Sequence, residues 1–155
     1  MHNEYLSKGA PAETEDRFER GLRVLFNMSP EKMEIVTNRL AEVAPDFARL
    51  VIEYAFGTIF SRSVLEMRSR ELIAVAVLTA RGDSIIPLRA HITSALKFGI
   101  SQAEVIESMM QVSIYSGFPV VINALTACHD LLTNVEDPDF AACPVPVHQT
   151  DAGHS

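Results

Sequence analysis

The sequence predicts an all-α fold, a single-domain helical bundle, and three observations carry that prediction. Cap and turn residues punctuate the chain at helix-length intervals. Between them, apolar residues recur three and four positions apart. No stretch alternates apolar and polar residues as a half-buried strand would. About six or seven helices are expected from this punctuation.

Taken in order, Thr14 opens "TEDRFERGLRVLF", whose Phe18, Leu22 and Leu25 fall on one helical face. Ser29 followed by Pro30 is an N-cap with proline at the first helical position, and "EKMEIVTNRLAEVA" runs from there to Pro45. Asp46 is expected to cap "FARLVIEYAFGTIF", apolar at Phe47, Leu50, Val51, Tyr54 and Ala55. Ser63 and Glu66 have capping-box spacing and introduce "VLEMRSRELIAVAVLTAR", which Gly82 can stop. Pro87 begins "LRAHITSALKF" and Gly99 ends it. Ser101 and Glu104 form a second capping box for "QAEVIESMMQVSIY"; "SGFP" breaks that helix and "VVINALTACHDLL" resumes it. The runs "IAVAVL" and "VVINAL" are rich in β-branched residues, and their flanking caps decide them for helix. Residues 1–13 and 136–155 lack periodicity and are expected to be flexible arms around a domain spanning 14–135.

Composition narrows the function classes. Of the 155 residues 48% are hydrophobic and 21% charged, ordinary values for a folded body. The net charge is −7 and no basic cluster occurs, which disfavours nucleic acid, since phosphate binding needs a concentrated basic face. Cys128 and Cys143 lie far apart, as suits a reducing cytosol better than a disulfide-stapled secreted domain. The longest apolar run, "LIAVAVLTA", is about half the ~20 residues a bilayer requires. No apolar leader opens the chain, so a soluble cytoplasmic protein with no membrane partner is expected.

The residues able to carry chemistry are few. His91 is the histidine placed deep in the patterned region, on a helix after Pro87. Its imidazole titrates near working pH and suits general acid–base catalysis, with a packed structural histidine as the plain alternative. No H-x-x-x-H or H-x-x-E-H spacing pairs histidines on one face, so no metal is expected. G-x-G-x-x-G and Walker motifs are absent, and nothing calls for a nucleotide cofactor. Glu107, Gln111 and Tyr115 form a polar line four residues apart, either a solvated face or the edge of a pocket at the "SGFP" break. Glu53 falls in an apolar segment with Tyr54, Phe56 and Phe60, where a carboxylate needs a partner, and Arg49 stands one turn away. In "MRSREL", helix-start electrostatics explain Glu71. Cys128, His129 and Asp130 are adjacent and point in different directions on a helix, so they do not converge on a nucleophilic site.

"RFERGLRVLF", "EYAFGTIFSR", "RSRELIAVAVLTARG", "LRAHITSALKFGIS" and "VSIYSGFPVVINAL", in that order, resemble the γ-carboxymuconolactone decarboxylase family from about Arg17 to Leu132. The most specific pieces are Arg89, His91, Ala95 and Gly99 as R-x-H-x-x-x-A-x-x-x-G, and Tyr115, Gly117 and Pro119 followed by Asn123 and Ala124. The resemblance implies an all-helical, cofactor-free enzyme that assembles as a homo-oligomer, a trimer or hexamer, and decarboxylates 4-carboxymuconolactone in aromatic catabolism. The sister branch, alkyl hydroperoxidase D, carries a C-x-x-C pair ahead of the histidine. Here those positions hold Ser84 and Pro87, or Asp83 and Ile86 in the other register, so a thiol peroxidase is excluded.

The resemblance places His91 where the family keeps a site histidine; the residues then suit His91 as proton donor or shuttle, Tyr115 and Gln111 as donors to the substrate carbonyl, and Glu53 to tune or position His91. Arg89 and Arg62 are candidates to orient the carboxylate, and Phe56, Phe60 and Phe118 to form a dry wall. Many members have tryptophans near "EYAFGTIF" and a histidine near Gln111; this chain has no tryptophan, so its substrate can differ. The alternatives are another acid–base reaction, an isomerisation or cyclisation of a biosynthetic intermediate, and a non-catalytic oligomeric binding protein.

Overall fold

The computed structural model describes residues 16–133, apart from the side chain of Glu31. The two proposed arms, Thr14, Cys143 and the histidines at positions 2, 148 and 154 lie outside the described residues. Within them every regular element is helical, including both β-branched runs, and there is no strand.

Helix α1 is Arg17–Met28, opened by Asp16, whose carboxylate accepts from the Phe18 amide at 3.0 Å. Ser29 is extended (φ −153°, ψ 148°) and its Oγ accepts the Lys32 amide at 3.1 Å, so the serine–proline cap forms as its spacing predicts. It starts α2, residues 30–43, which loosens into a π-helical stretch over Ile35–Leu40. Ala44 leaves helical geometry, and Pro45 begins α3, residues 45–60, again π-helical over Ile52–Phe60. The expected Asp46 cap is not made: Ala44 occupies the cap position without a side-chain bond, and proline supplies the start.

The Ser63–Glu66 capping box is also not made. Residues 61–66 form a loop that Arg70 ties down by donating to the carbonyls of Leu65 (3.1 Å) and Arg62 (2.8 Å). Helix α4, Met67–Arg81, begins beyond that loop and stops at Gly82 with φ 73°, a left-handed conformation natural to glycine. Helix α5, Ile85–Lys97, begins two residues before Pro87, which the first turn tolerates because its amides lack helical acceptors. Gly99 (φ 76°) ends it as expected. Both halves of the Ser101–Glu104 capping box form at the head of α6, Gln102–Ser116. Gly117 separates it from α7, Phe118–Ala127, and a short α8, His129–Leu132, follows.

Two apolar clusters organise these helices. Leu25, Met28, Val36, Ile52 and Phe56 join α1 to α2 and α3. Val75, Leu88, Ile92, Ala95, Val105, Met109 and Ala124 join α4 to α5, α6 and α7. Helices α1 and α3 pack nearly backbone to backbone: a Cβ on Gly21 would lie 2.3 Å from the Ile52 carbonyl oxygen, and one on Gly57 2.0 Å from that of Arg17. The buried Arg20 guanidinium donates to the Gly57 carbonyl at 3.0 Å across the same seam. Among the described residues no helix is long and apolar enough to cross a membrane.

Candidate functional site

The buried charges gather where the two clusters meet. Pro30 is the first residue of α2, which places Lys32 in its first turn, and its side chain runs inward to 4% exposure. Glu71, fully buried, comes from α4; His91 (16% exposed) and the buried Ser94 come from α5. Lys32 Nζ lies 3.0 Å from each Glu71 oxygen and 2.9 Å from His91 Nδ1. Glu71 Oε2 is 2.8 Å from His91 Nδ1, and Ser94 donates to Oε1 at 3.1 Å. Both oxygens of Glu71 are therefore engaged, and the Lys32 ammonium has three polar atoms within hydrogen-bond reach.

His91 Nδ1 faces two incompatible partners. It can accept from the Lys32 ammonium or donate to Glu71, and each choice fixes the tautomer. Accepting from Lys32 puts the ring proton on Nε2; donating to Glu71 leaves Nε2 with a lone pair. Nε2 makes no hydrogen bond among the described residues, and His91 lines a cavity of about 520 Å³. Ile35, Val36 and Leu40 of α2, Phe47, Val51 and Phe56 of α3, and Ile86, Pro87 and Ala90 of α5 enclose the rest of it. The Phe60 ring lies 6.1 Å from the imidazole. A second cavity of about 470 Å³, sharing Val36, lies on the Arg49 side and contains neither His91 nor its partners.

Burial sets the electrostatics. Desolvation brings Lys32 down to about 8, against the pull of Glu71 in the other direction. It also depresses His91 below the usual imidazole range, only partly opposed by the hydrogen bond to Glu71. For Glu71 burial alone acts upward, but His91 and Lys32 together outweigh it and hold the carboxyl below its ordinary value. The cluster at neutral pH is thus an ammonium, a carboxylate and a neutral imidazole.

The structure brings together only part of the expected set. His91 and Phe56 line the cavity, and Phe60 stands beside the imidazole. The carboxylate on His91 is Glu71, a correction to the assignment of Glu53, which pairs with Arg49 at 2.8 Å one turn back along α3. Arg89 binds Asp130 (2.6 and 2.7 Å) and the Ala127 carbonyl, tying α5 to the α7–α8 junction rather than facing the cavity. Arg62 is not among the cavity-lining residues. Gln111 and Tyr115 (81% exposed) lie outward because α6 turns Val105, Met109 and Val112 to the core, and Phe118 (73% exposed) lies outward on α7, which buries Val121 and Ala124. Within one chain these three do not reach His91.

Lys32 and Ser94 are additions to the sequence reading, and Glu71 gains a role beyond helix-start electrostatics. A signal existed for each charged residue. Glu71 shares a helical face with Val75 and Thr79, and a cation in the first turn, as at Lys32, opposes the helix dipole. Among the described residues no three His, Cys, Asp or Glu side chains form a group able to hold a metal.

Comparison with known proteins supplies context. The profile of the carboxymuconolactone decarboxylase family matches residues 45–130, a span that includes Glu71, His91 and Ser94 but not Lys32. A 4-carboxymuconolactone decarboxylase of Acinetobacter baylyi is 30% identical over 106 residues, 68% of this chain and 78% of the relative. A nitrosuccinic acid decarboxylase of Metarhizium robertsii is 25% identical over 124 residues, 77% of this chain and 84% of the relative. An uncharacterized 15.0 kDa protein of Paracoccus denitrificans is 28% identical over 101 residues, 64% of this chain and 74% of the relative.

Proposed function

Since the chain belongs to the carboxymuconolactone decarboxylase family, we propose that it is a soluble, cytoplasmic, cofactor-free decarboxylase of a small carboxylated lactone, serving aromatic catabolism, with His91 as proton donor. Two relatives bear decarboxylase names, which supports the reaction class. The observation that carries the reading is a neutral imidazole whose Nδ1 is held between Lys32 and Glu71 while its ring borders an apolar cavity.

The chemistry follows from that placement. The carbon–carbon bond to the substrate carboxylate breaks, its electron pair passes into the conjugated lactone carbonyl, and neutral CO2 leaves. An apolar wall favours this loss of charge, because it replaces the water that would have solvated the carboxylate. The dienolate then takes the proton from His91 Nε2. In the same step His91 Nδ1 takes one from the Lys32 ammonium; a solvent proton then returns to Nε2 and the Nδ1 proton returns to Lys32, which restores the starting tautomer. A lysine brought down to about 8 gives up that proton at small cost. Glu71 stays ionised throughout and fixes both partners.

The test is CO2 release from carboxylated lactones, 4-carboxymuconolactone and a ring-monocarboxylated analogue, without added metal or nucleotide. His91→Gln should lower turnover by roughly 10²–10⁴-fold, the usual contribution of a positioned acid. Release from neither lactone, or full activity in a folded His91→Gln protein, sinks the reading. Deuterium wash-in from heavy water without CO2 would instead indicate an isomerase using the same relay.

A further inference from the structure

We infer that the His91 cavity selects a small acid with one carboxylate and an apolar body, and rejects dicarboxylates; this rests on the reading of His91 Nε2 as the proton donor at the reacting end of the cavity. Among the described residues that line the cavity, the charged or titratable ones are Lys32 and His91. In the tautomer that carries its proton on Nε2, the one a proton donor needs, His91 Nδ1 accepts from Lys32; the three protons of Lys32 are then committed to Glu71 and His91, and the ammonium has none left for a ligand. Its charge is already balanced by Glu71. What remains for an incoming acid is one donor, His91 Nε2, in a cluster with no net charge.

The wall formed by the other described residues offers nothing to a second anion. Leu40, Phe47, Val51 and Phe56 are hydrocarbon, and no arginine is among the lining residues. Of the two arginines expected to serve, Arg89 holds Asp130 and Arg62 is not among the lining residues; nearby, Arg49 holds Glu53 and Arg70 holds the carbonyls of Leu65 and Arg62. A carboxylate pressed against that wall would lose its water and gain no partner, whereas an alkyl or ring carbon there gains burial. The volume, about 520 Å³, lies within the roughly 300–1,000 Å³ of small-molecule sites, so the body can be a substituted ring rather than a two-carbon stub.

The lactone named for the Acinetobacter relative and nitrosuccinic acid both carry two carboxyl groups. This chain therefore parts from both in substrate, while keeping a site for the carboxylate that is lost.

Binding separates this inference from the proposed reaction, because it needs no turnover. The full-length protein is titrated calorimetrically with cyclohexanecarboxylate and with cyclohexane-1,4-dicarboxylate, neither of which can decarboxylate without an electron sink. The monoacid should bind at least tenfold more tightly and should shift the ring resonances of His91 but not those of His129. Equal or tighter binding of the diacid overturns the inference. So does failure of the monoacid to bind, or binding that leaves His91 unmoved. Should the monoacid bind as expected while no lactone releases CO2, selectivity stands and the decarboxylase reading falls.

Discussion

Lys32, Glu71 and His91 constrain one another so closely that changing one alters the other two. Breaking a buried ion pair from one side leaves an uncompensated charge and typically costs about 3–5 kcal/mol. Lys32→Met and Glu71→Leu should each destabilise on that scale in urea unfolding, and the double variant by much less than their sum. Additive losses would mean that the two charges do not sense each other. The pH dependence follows from the same burial. Activity should fall above about pH 8, where Lys32 loses the proton it relays, and Lys32→Met should abolish that limb. Stability moves the other way: between about 8 and the lysine's ordinary 10.5 the unfolded chain holds a proton that the folded chain has released, so the Lys32 contribution rises with pH. On the acid side, His91 and Glu71 are both depressed, so below about 6.5 the unfolded chain takes up protons first and folding weakens. Melting temperatures from pH 7 to 5 should fall, and fall less in His91→Gln. His91 was legible from sequence because histidine is rare in the patterned region. Lys32 left a weaker mark, its place against the helix dipole, because a lysine among charged neighbours reads as solvated until the fold carries it under α5.

At the scale of elements, caps were the most legible feature where they act locally. The Ser29–Pro30 start, the Ser101–Glu104 box and the glycine stops all form, since each needs only a few residues of chain to be satisfied. Ser63–Glu66 had the same spacing and failed, because α4 starts only at Met67, which leaves Ser63 in a loop that Arg70 fastens through its carbonyls. The π-helical stretches of α2 and α3 left no sequence mark; their geometry answers to neighbours, as where the Arg20 guanidinium takes the Gly57 carbonyl. Gly57 is the sharpest test of that seam. Gly57→Ala would drive a methyl group onto the Arg17 carbonyl oxygen at 2.0 Å, so α1 and α3 must separate. The cost should exceed the usual ~1–3 kcal/mol of overpacking, read as a lowered melting temperature. Because α3 carries Val51 and Phe56 to the cavity, KM should rise with little change in kcat. A variant as stable as the parent would show that the helices are not locked there.

At the scale of the whole molecule, the described residues leave more apolar surface open than a lone chain should. Ile114, Tyr115, Phe118 and Ile122 are all exposed on α6 and α7, and Ile73 and Val77 on α4. Apolar residues scattered singly need no explanation, but a face of this density on a chain carrying a net charge of −7 calls for a cover. We expect another copy of the chain to provide it, in the trimer or hexamer that the family resemblance implies. Light scattering should then return a multiple of the 17.1 kDa chain mass, and Phe118→Asp should shift it toward a single chain. A wild-type mass of 17.1 kDa would refute the assembly outright. The same variant locates the exposed residues of the resemblance. Lys32, Glu71 and His91 all come from one chain, so the separated subunit should still bind a monocarboxylic acid. Tyr115 and Gln111 do not reach His91 within a chain; if they serve catalysis at all they serve a neighbour's site, and turnover then disappears with the oligomer while acid binding survives. Retention of both would make them surface residues whose only task is contact.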